Sequence, residues 1–215
     1  MIGDKLIIKE KHRQAAEQIA ERILPDLGSS GRIYTISIAG ESGSGKSETA
    51  QAVAEALIRR GFKTLVLQQD DYFVHPPKTN DRTRRQDIGW VGKQEVRLDL
   101  LDQHLRQARS GAQTIVKPLV VYEEDRIVEE TVSLQGIVAV VAEGTYTTVL
   151  ENIDTRVFID LTYLQTLQSR LERAREAQDD FLGRVLEVEH RIISAQKSRA
   201  DLLIDKQYQV VEVKR

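Results

Sequence analysis

The feature that most constrains this chain is the octapeptide at residues 40–47, which runs Gly-Glu-Ser-Gly-Ser-Gly-Lys-Ser. It fits the pattern G-x-x-x-x-G-K-[ST] at every required position. An apolar segment at residues 33–39 precedes it, and residues 46–60 follow with apolar side chains spaced as on one face of a helix. In a strand–loop–helix of this kind the glycine-rich backbone turns successive N–H groups toward phosphate oxygens, and the start of the helix adds a favourable dipole. The sequence therefore predicts a phosphate loop in an α/β fold.

This loop also predicts the cofactors, ATP and Mg²⁺. Lys46 is expected to reach the β- and γ-phosphates, and Ser47 is expected to offer its hydroxyl to Mg²⁺. Glu48 follows in the first turn of the helix. The predicted cofactor-binding residues are Gly40, Ser42, Gly43, Ser44, Gly45, Lys46, Ser47 and Glu48.

Strand and helix patterns alternate along the rest of the chain, which predicts a mostly parallel sheet with helices on both faces. We expect residues 1–30 to form an N-terminal helical extension and residues 31–215 to form one P-loop domain with a small lid. The expected strands are residues 64–68, 114–117, 126–134, 137–142, 156–160, 202–204 and 208–213. Of these, 114–117 and 126–134 are expected to be either separate short strands or a hairpin. The expected helices are 11–24, 95–109, 162–177 and 179–196, and residues 74–92 are expected to be an exposed loop.

Composition excludes several classes of protein. Lysine and arginine number 31 against 33 acidic residues, a net charge of −2, so no basic field for nucleic acid exists. The chain has no cysteine, which excludes disulfides, thiol nucleophiles and cysteine-bound zinc. The first residues lack the apolar core of a secretory signal, and no apolar run approaches the roughly 20 residues of a membrane span. We therefore expect a cytoplasmic protein with neither nucleic-acid nor membrane partners.

A phosphate loop alone does not define the reaction. The guanine-binding pattern N-K-x-D of GTPases is missing from the sequence. Three segments in order, residues 40–48, 69–73 and 140–145, instead resemble the uridine kinase and phosphoribulokinase group of P-loop kinases, including their nicotinamide riboside kinase relatives. Weaker similarity extends through residues 170–175 and 197–205. The resemblance implies transfer of the γ-phosphate of ATP to a hydroxyl of a small molecule, a five-stranded parallel sheet with the P-loop strand central, and a homodimer.

The same resemblance assigns roles to individual residues. It puts the carboxylate that accepts the hydroxyl proton on Asp70, although Asp71 is beside it and both could be turn residues. It makes Glu143 a ligand near Mg²⁺, with Ser47 and Asp70, where a strand-to-turn exit is the alternative. Arg170, three residues before Arg173 on one helix face, is expected to close over the phosphates together with it, where a solvated charged helix is the alternative.

The chain departs from uridine kinases where these bind the nucleoside. At residues 88–92 and 117–122 the expected aspartate and histidine are missing, which argues against uridine or cytidine as the acceptor. A basic cluster near the first of these segments favours either recognition of an anionic acceptor or a merely solvated loop. Two rival functions remain open, a regulatory ATPase and a nucleotide-binding module without an acceptor. The members of the cluster are Lys78, Arg82, Arg84 and Arg85.

Overall fold

The computed structural model describes residues 1, 6–173 and 179–213, with side chains to residue 172 before the gap. Helices and strands alternate along the chain, as the sequence predicts. The helices are α1 (Glu10–Ser29), α2 (Lys46–Arg59), α3 (Pro77–Gln86), α4 (Leu98–Arg109), α5 (Leu167–Arg173) and α6 (Asp180–Ser194). The strands are β1 (Tyr34–Gly40), β2 (Thr64–Gln68), β3 (Thr114–Val121), β4 (Arg126–Ser133), β5 (Ala139–Glu143), β6 (Thr155–Ile159), β7 (Leu202–Ile204) and β8 (Val210–Glu212).

A twisted α/β sheet organises the fold. Within the described ranges it has six strands in the order β2-β5-β1-β6-β7-β8. The first five are parallel and β1 lies in the middle of them, while β8 pairs antiparallel with β7 at the edge. Every residue of β1 and β5 is buried, as expected for parallel strands covered on both faces. The predicted fold class and the central position of the P-loop strand are thereby confirmed.

Helix α1 is longer than its sequence pattern predicts. It runs from Glu10 to Ser29, whereas the expected helix stopped before Pro25. Pro25 lies inside the helix, where it removes one backbone hydrogen bond, but Ile23 and Leu27 on either side of it are buried in the core. This packing against α2 and the sheet outweighs the local effect of the proline. The proposed division of the chain near residue 30 stays a prediction, although α1 shares the core of the sheet.

The segment at residues 74–92 is wrongly predicted as an exposed loop. It contains α3, which starts with Pro77 in the first turn and buries Asn80. The segment has few apolar residues, so it shows no helical periodicity in the sequence. Polar bonds hold it instead, because Asn80 donates to Glu95 over 2.7 Å and accepts from the Trp90 indole over 2.9 Å.

Several other boundaries also differ from the prediction. Helix α4 starts at Leu98 rather than residue 95, because Glu95 ends a 3₁₀ turn and accepts a bond from the Gly92 amide over 2.6 Å. Gln165 accepts from the backbone N–H of Thr162 over 3.0 Å, but this bond closes a turn, and α5 begins only at Leu167. The rest of the helix predicted to residue 177 falls on residues 174–178, which lie outside the described residues.

The strands β3 and β4 form a separate antiparallel hairpin, in register from Thr114 opposite Ser133 to Val121 opposite Arg126. This confirms the hairpin alternative for the two segments and extends the first one. None of the helices in the described ranges combines the length and the apolar character that crossing a bilayer requires.

Candidate active site

The phosphate loop connects the central strand directly to α2. Gly40 ends β1, Gly45 caps α2 with a φ of 90°, and Lys46 is the first helical residue. The Ser44 amide donates to the Glu41 carbonyl over 3.1 Å, and the Lys46 ammonium donates to the same carbonyl over 3.0 Å. All eight residues predicted to bind the cofactor therefore lie in one loop and the helical turn that follows it.

Strand order brings the predicted carboxylates to this loop. Glu143 is the last residue of β5, which lies between β1 and β2 and pairs Glu143 with Ile38 and with Gln68. Asp70 lies in the 3₁₀ turn that directly follows β2. The phosphate loop, Asp70 and Glu143 thus leave three neighbouring parallel strands at the same carboxyl edge, which is where α/β sheets bind ligands.

The two aspartates after β2 have different surroundings. Asp71 is 2% exposed, and its carboxylate accepts from the Lys117 ammonium over 2.8 Å and from the Val120 amide over 3.0 Å. The α-ammonium of Met1 lies 3.0 Å from the same carboxylate. Asp71 therefore fixes the β3–β4 hairpin to the sheet. Asp70 is only partly buried, which favours it over Asp71 as the residue that faces an acceptor.

Gln69 is a residue of the site that the sequence analysis missed. Its side chain is 1% exposed, accepts from the Tyr146 amide over 2.8 Å and donates to the Thr145 hydroxyl over 3.0 Å. It thereby ties the turn that carries Asp70 to the turn after Glu143. Gly144 has a φ of +156°, and a Cβ there would lie 2.2 Å from the Gln69 Cβ, so glycine is required at that point.

The predicted lid arginine lies beside the phosphate loop. Arg170 is 9% exposed and donates to the Tyr163 carbonyl over 2.6 Å and to the Thr166 hydroxyl over 2.7 Å. Thr166 in turn donates to the Ser42 carbonyl over 2.7 Å. Its partner Arg173 ends α5, but the side chain of Arg173 lies outside the described residues, so its role stays a prediction.

The acidic second residue of the loop, Glu41, also escaped the sequence analysis. One carboxylate oxygen is 2.7 Å from Nδ1 of His190 on α6, and the other accepts from the Tyr163 amide over 2.6 Å. No local sequence pattern indicates this contact, because Glu41 and His190 are 149 residues apart. On another side of the loop, Tyr208 donates its hydroxyl hydrogen to the Ser44 carbonyl over 2.6 Å.

All four members of the basic cluster belong to α3, but they do not form one surface. Arg84 is enclosed, with 13% of its side chain exposed, and contacts Glu95 at 2.5 Å and Glu189 at 3.0 Å. Burial opposes its charge, but the two carboxylates outweigh this effect and raise the pKa of Arg84 above its ordinary value. Arg85 bonds Asp81 and Asp179 at the surface. Arg84 therefore has a structural role in joining α3 to α6.

The residues of the site suit a magnesium nucleotide. The Ser44 hydroxyl is buried and has no hydrogen-bond partner among the described residues, and the first amides of α2 lack an intrahelical acceptor. Within the described ranges no three histidine, cysteine or acidic side chains converge as a metal site. Mg²⁺ needs no such cage, because it is commonly held by one or two protein oxygens together with substrate phosphates and water. Ser47 with nearby carboxylates is a donor set of that kind.

Known proteins share this fold. A possible uridine kinase from Bacillus stearothermophilus superposes with a TM-score of 0.63 at 20% identity, covering 89% of this chain and 97% of that one. The D-glycerate 3-kinase of Cryptococcus neoformans superposes with a TM-score of 0.63 at 14% identity, covering 93% of this chain and 98% of that one. At these identities the likeness establishes the fold alone.

Sequence comparison extends the likeness to family level. The bifunctional α-galactosidase/sucrose kinase AgaSK of Mediterraneibacter gnavus is 29% identical over an alignment of 191 residues that covers 82% of this chain and 20% of that protein. The chain thus spans about a fifth of the length of this curated relative. A sequence model of the phosphoribulokinase/uridine kinase family matches residues 35–213, from β1 to the end of β8. The chain therefore belongs to the phosphoribulokinase/uridine kinase family of P-loop kinases.

Proposed function

We propose that the chain is an ATP-dependent kinase that transfers the γ-phosphoryl group to a hydroxyl of a small molecule. The observation that carries the proposal is the convergence of the phosphate loop, Asp70 and Glu143 at the carboxyl ends of β1, β2 and β5. Membership of a kinase family supports it. A module that only binds the nucleotide would not require a carboxylate at the position of Asp70.

Each residue has a defined task in this proposal. The Lys46 ammonium and the loop amides would bind phosphate oxygens, and Ser47 and Glu143, with Asp70, would hold Mg²⁺. When bound, MgATP supplies the phosphoryl group. Asp70 orients the acceptor hydroxyl and takes up its proton on a carboxylate oxygen.

Arg170 of the predicted lid adds positive charge next to the phosphate-binding residues. Arg170 lies against the Ser42 segment through Thr166, so its guanidinium is close to the phosphate loop. There it screens the negative charge that spreads over the transferred oxygens, with Arg173 as its predicted partner. Cytoplasmic location and a homodimer stay predictions from the sequence and its resemblance.

A carbohydrate hydroxyl is the first acceptor to test. The curated relative that aligns with 82% of this chain is named as a sucrose kinase as well as an α-galactosidase. The missing nucleoside-binding residues argue against uridine, and the enclosure of Arg84 leaves Lys78, Arg82 and Arg85 as the exposed cations for an anionic group on the acceptor.

The test is MgATP consumption with a panel of sugars, sugar phosphates, nucleosides and glycerate, followed by mass spectrometry of the products. We expect one acceptor to gain a phosphate and to raise ADP release well above the rate with water. The Lys46→Ala variant should lose both signals. If ATP binds and no acceptor in the panel is phosphorylated, a regulatory ATPase or a binding module is favoured instead.

A further inference from the structure

The phosphate loop carries a negative charge at the point where the proposed function needs to bind a polyanion. Glu41 is its second residue and only 4% exposed. The Lys46 ammonium contacts the Glu41 carbonyl, at 3.0 Å, rather than its carboxylate. A buried carboxylate near a triphosphate weakens binding by several-fold or more unless another charge compensates it, because Coulomb interactions are strong where water is excluded.

Among the residues that the structure describes, two groups from outside the loop contact the Glu41 carboxylate, one at each oxygen. The Tyr163 amide donates to Oε2 over 2.6 Å, and His190 Nδ1 lies 2.7 Å from Oε1. The amide is a neutral dipole, whereas an imidazolium carries a full positive charge. Of these two contacts, only His190 can therefore cancel the charge of Glu41.

The position of His190 is itself fixed. Its neighbour on α6, Glu189, is bonded by the Arg84 guanidinium over 3.0 Å, and Arg84 also bonds the fully buried Glu95. The His190 ring packs at 5.7 Å from the ring of Tyr163, the residue whose amide is the second donor to Glu41. These contacts hold helix α6 in place, so that the imidazole of His190 faces the phosphate loop in a defined orientation.

We propose that His190 is a positioning residue that neutralises Glu41 and so allows the phosphate loop to bind the polyphosphate of the donor nucleotide. The proposal rests on the proposed function only in that the loop binds a nucleotide. It assigns a function in donor binding to α6, which contributes no residue to the P-loop motif. It also predicts that Glu41 and His190 depend on each other, so that His190 matters only while Glu41 is an acid.

The test measures binding of MgATP and of inorganic tripolyphosphate by titration calorimetry. His190→Gln keeps a polar group of similar reach that cannot become a cation, and we expect the Kd for both ligands to rise about tenfold. Glu41→Gln added to this variant should restore the Kd to within about threefold of wild type. Arg191→Gln is the matched control, because it removes one positive charge from the next, exposed position of α6 and should leave the Kd unchanged.

Two results would overturn the proposal: wild-type affinity in His190→Gln, or failure of Glu41→Gln to restore the affinity. Because both residues are replaced in the rescued protein, a purely structural role of the contact predicts no recovery. Should His190→Gln fold poorly, His190→Lys, which places a cation at the same position, should bind MgATP better than His190→Ala of equal helix content, and equal affinities would refute the idea. Since binding is read without turnover, an unsuccessful acceptor search would count against the kinase proposal and not against this one.

Discussion

Replacing each of the two adjacent aspartates after β2 by asparagine should affect different properties, catalysis for Asp70 and stability for Asp71. Asp70→Asn removes the proposed proton acceptor, and we expect kcat to fall by roughly 10²–10⁴. Its side chain is partly exposed, so the free energy of unfolding should change by less than about 1 kcal/mol. Affinity for MgATP should be largely retained, because Ser47, Glu143 and the phosphate loop remain, and that result would place the loss in the transfer step.

Asp71→Asn should instead reduce stability, with a size that follows from its contacts. Breaking a buried ion pair by removing one partner costs about 3–5 kcal/mol. Here Lys117 keeps the Pro118 carbonyl at 3.0 Å and Glu130 at 3.3 Å, the Met1 ammonium keeps the Gln68 side-chain oxygen at 2.5 Å, and the asparagine oxygen can still accept from the Val120 amide. We therefore expect a loss slightly below that range, about 2–3 kcal/mol, or a drop in Tm of roughly 5–10 °C for a chain of this size.

Urea unfolding followed by circular dichroism measures the stability of both variants, and coupled ADP release with the acceptor identified by the panel measures their kcat. Lys117→Met serves as the control for the ion pair, because it should destabilise the protein alone but add little to Asp71→Asn. A fully active Asp70→Asn together with a stable, inactive Asp71→Asn would exchange the two assignments and refute the reasoning.

Three further predictions concern single contacts. Gly144→Ala places a Cβ 2.2 Å from that of Gln69 at a φ of +156°, so we expect the free energy of unfolding in urea to fall by about 2–4 kcal/mol. A fall below about 0.5 kcal/mol would show that the turn relaxes freely. Arg84→Met leaves two carboxylates without their positive partner and should lower the free energy of unfolding by about 3–5 kcal/mol. Arg82→Met, at a side chain that is 72% exposed, should lower it by less than about 0.5 kcal/mol, and equal losses would contradict the buried network. Burial alone would raise the pKa of Asp154, but bonds from arginine and threonine lower it from 3.8 to about 2, so its stabilisation is present above pH 4 and lost as the pH falls toward 2. Asp154→Asn should therefore cost about 1–2 kcal/mol at pH 7, allowing for solvent screening, and its difference from wild type in urea unfolding should shrink over that pH range; a constant difference would refute the assignment.

Features fixed by neighbouring residues could be predicted from the sequence. The P-loop strand, loop and helix were placed to within about one residue, because glycine spacing and apolar periodicity act over short distances. The hairpin and most other strands were found for the same reason. The central position of the P-loop strand needed the resemblance. The full order of strands was not predicted, since no local pattern in β5 indicates that it lies between β1 and β2.

Features that depend on distant polar pairs could not be predicted. Helix α3 has no apolar face, and its buried residue is Asn80, whose partner is 15 positions away. Arg84 and Glu189 are 105 positions apart, and in a single sequence each looks like an ordinary surface charge. Burial of paired charges is decided by tertiary packing, which explains why the basic cluster was expected at the surface.

Helix α1 has a consequence for chimeras between members of this family. The family match begins at residue 35, yet Ala15, Ile19 and Ile23 of α1 are buried in one core with α2 and β1. A chimera joined at the family boundary would place a foreign or missing helix against the back of α2, the helix that starts in the phosphate loop. The smallest exchangeable unit of this protein is therefore set by the α1–α2 contact rather than by the limits of sequence homology.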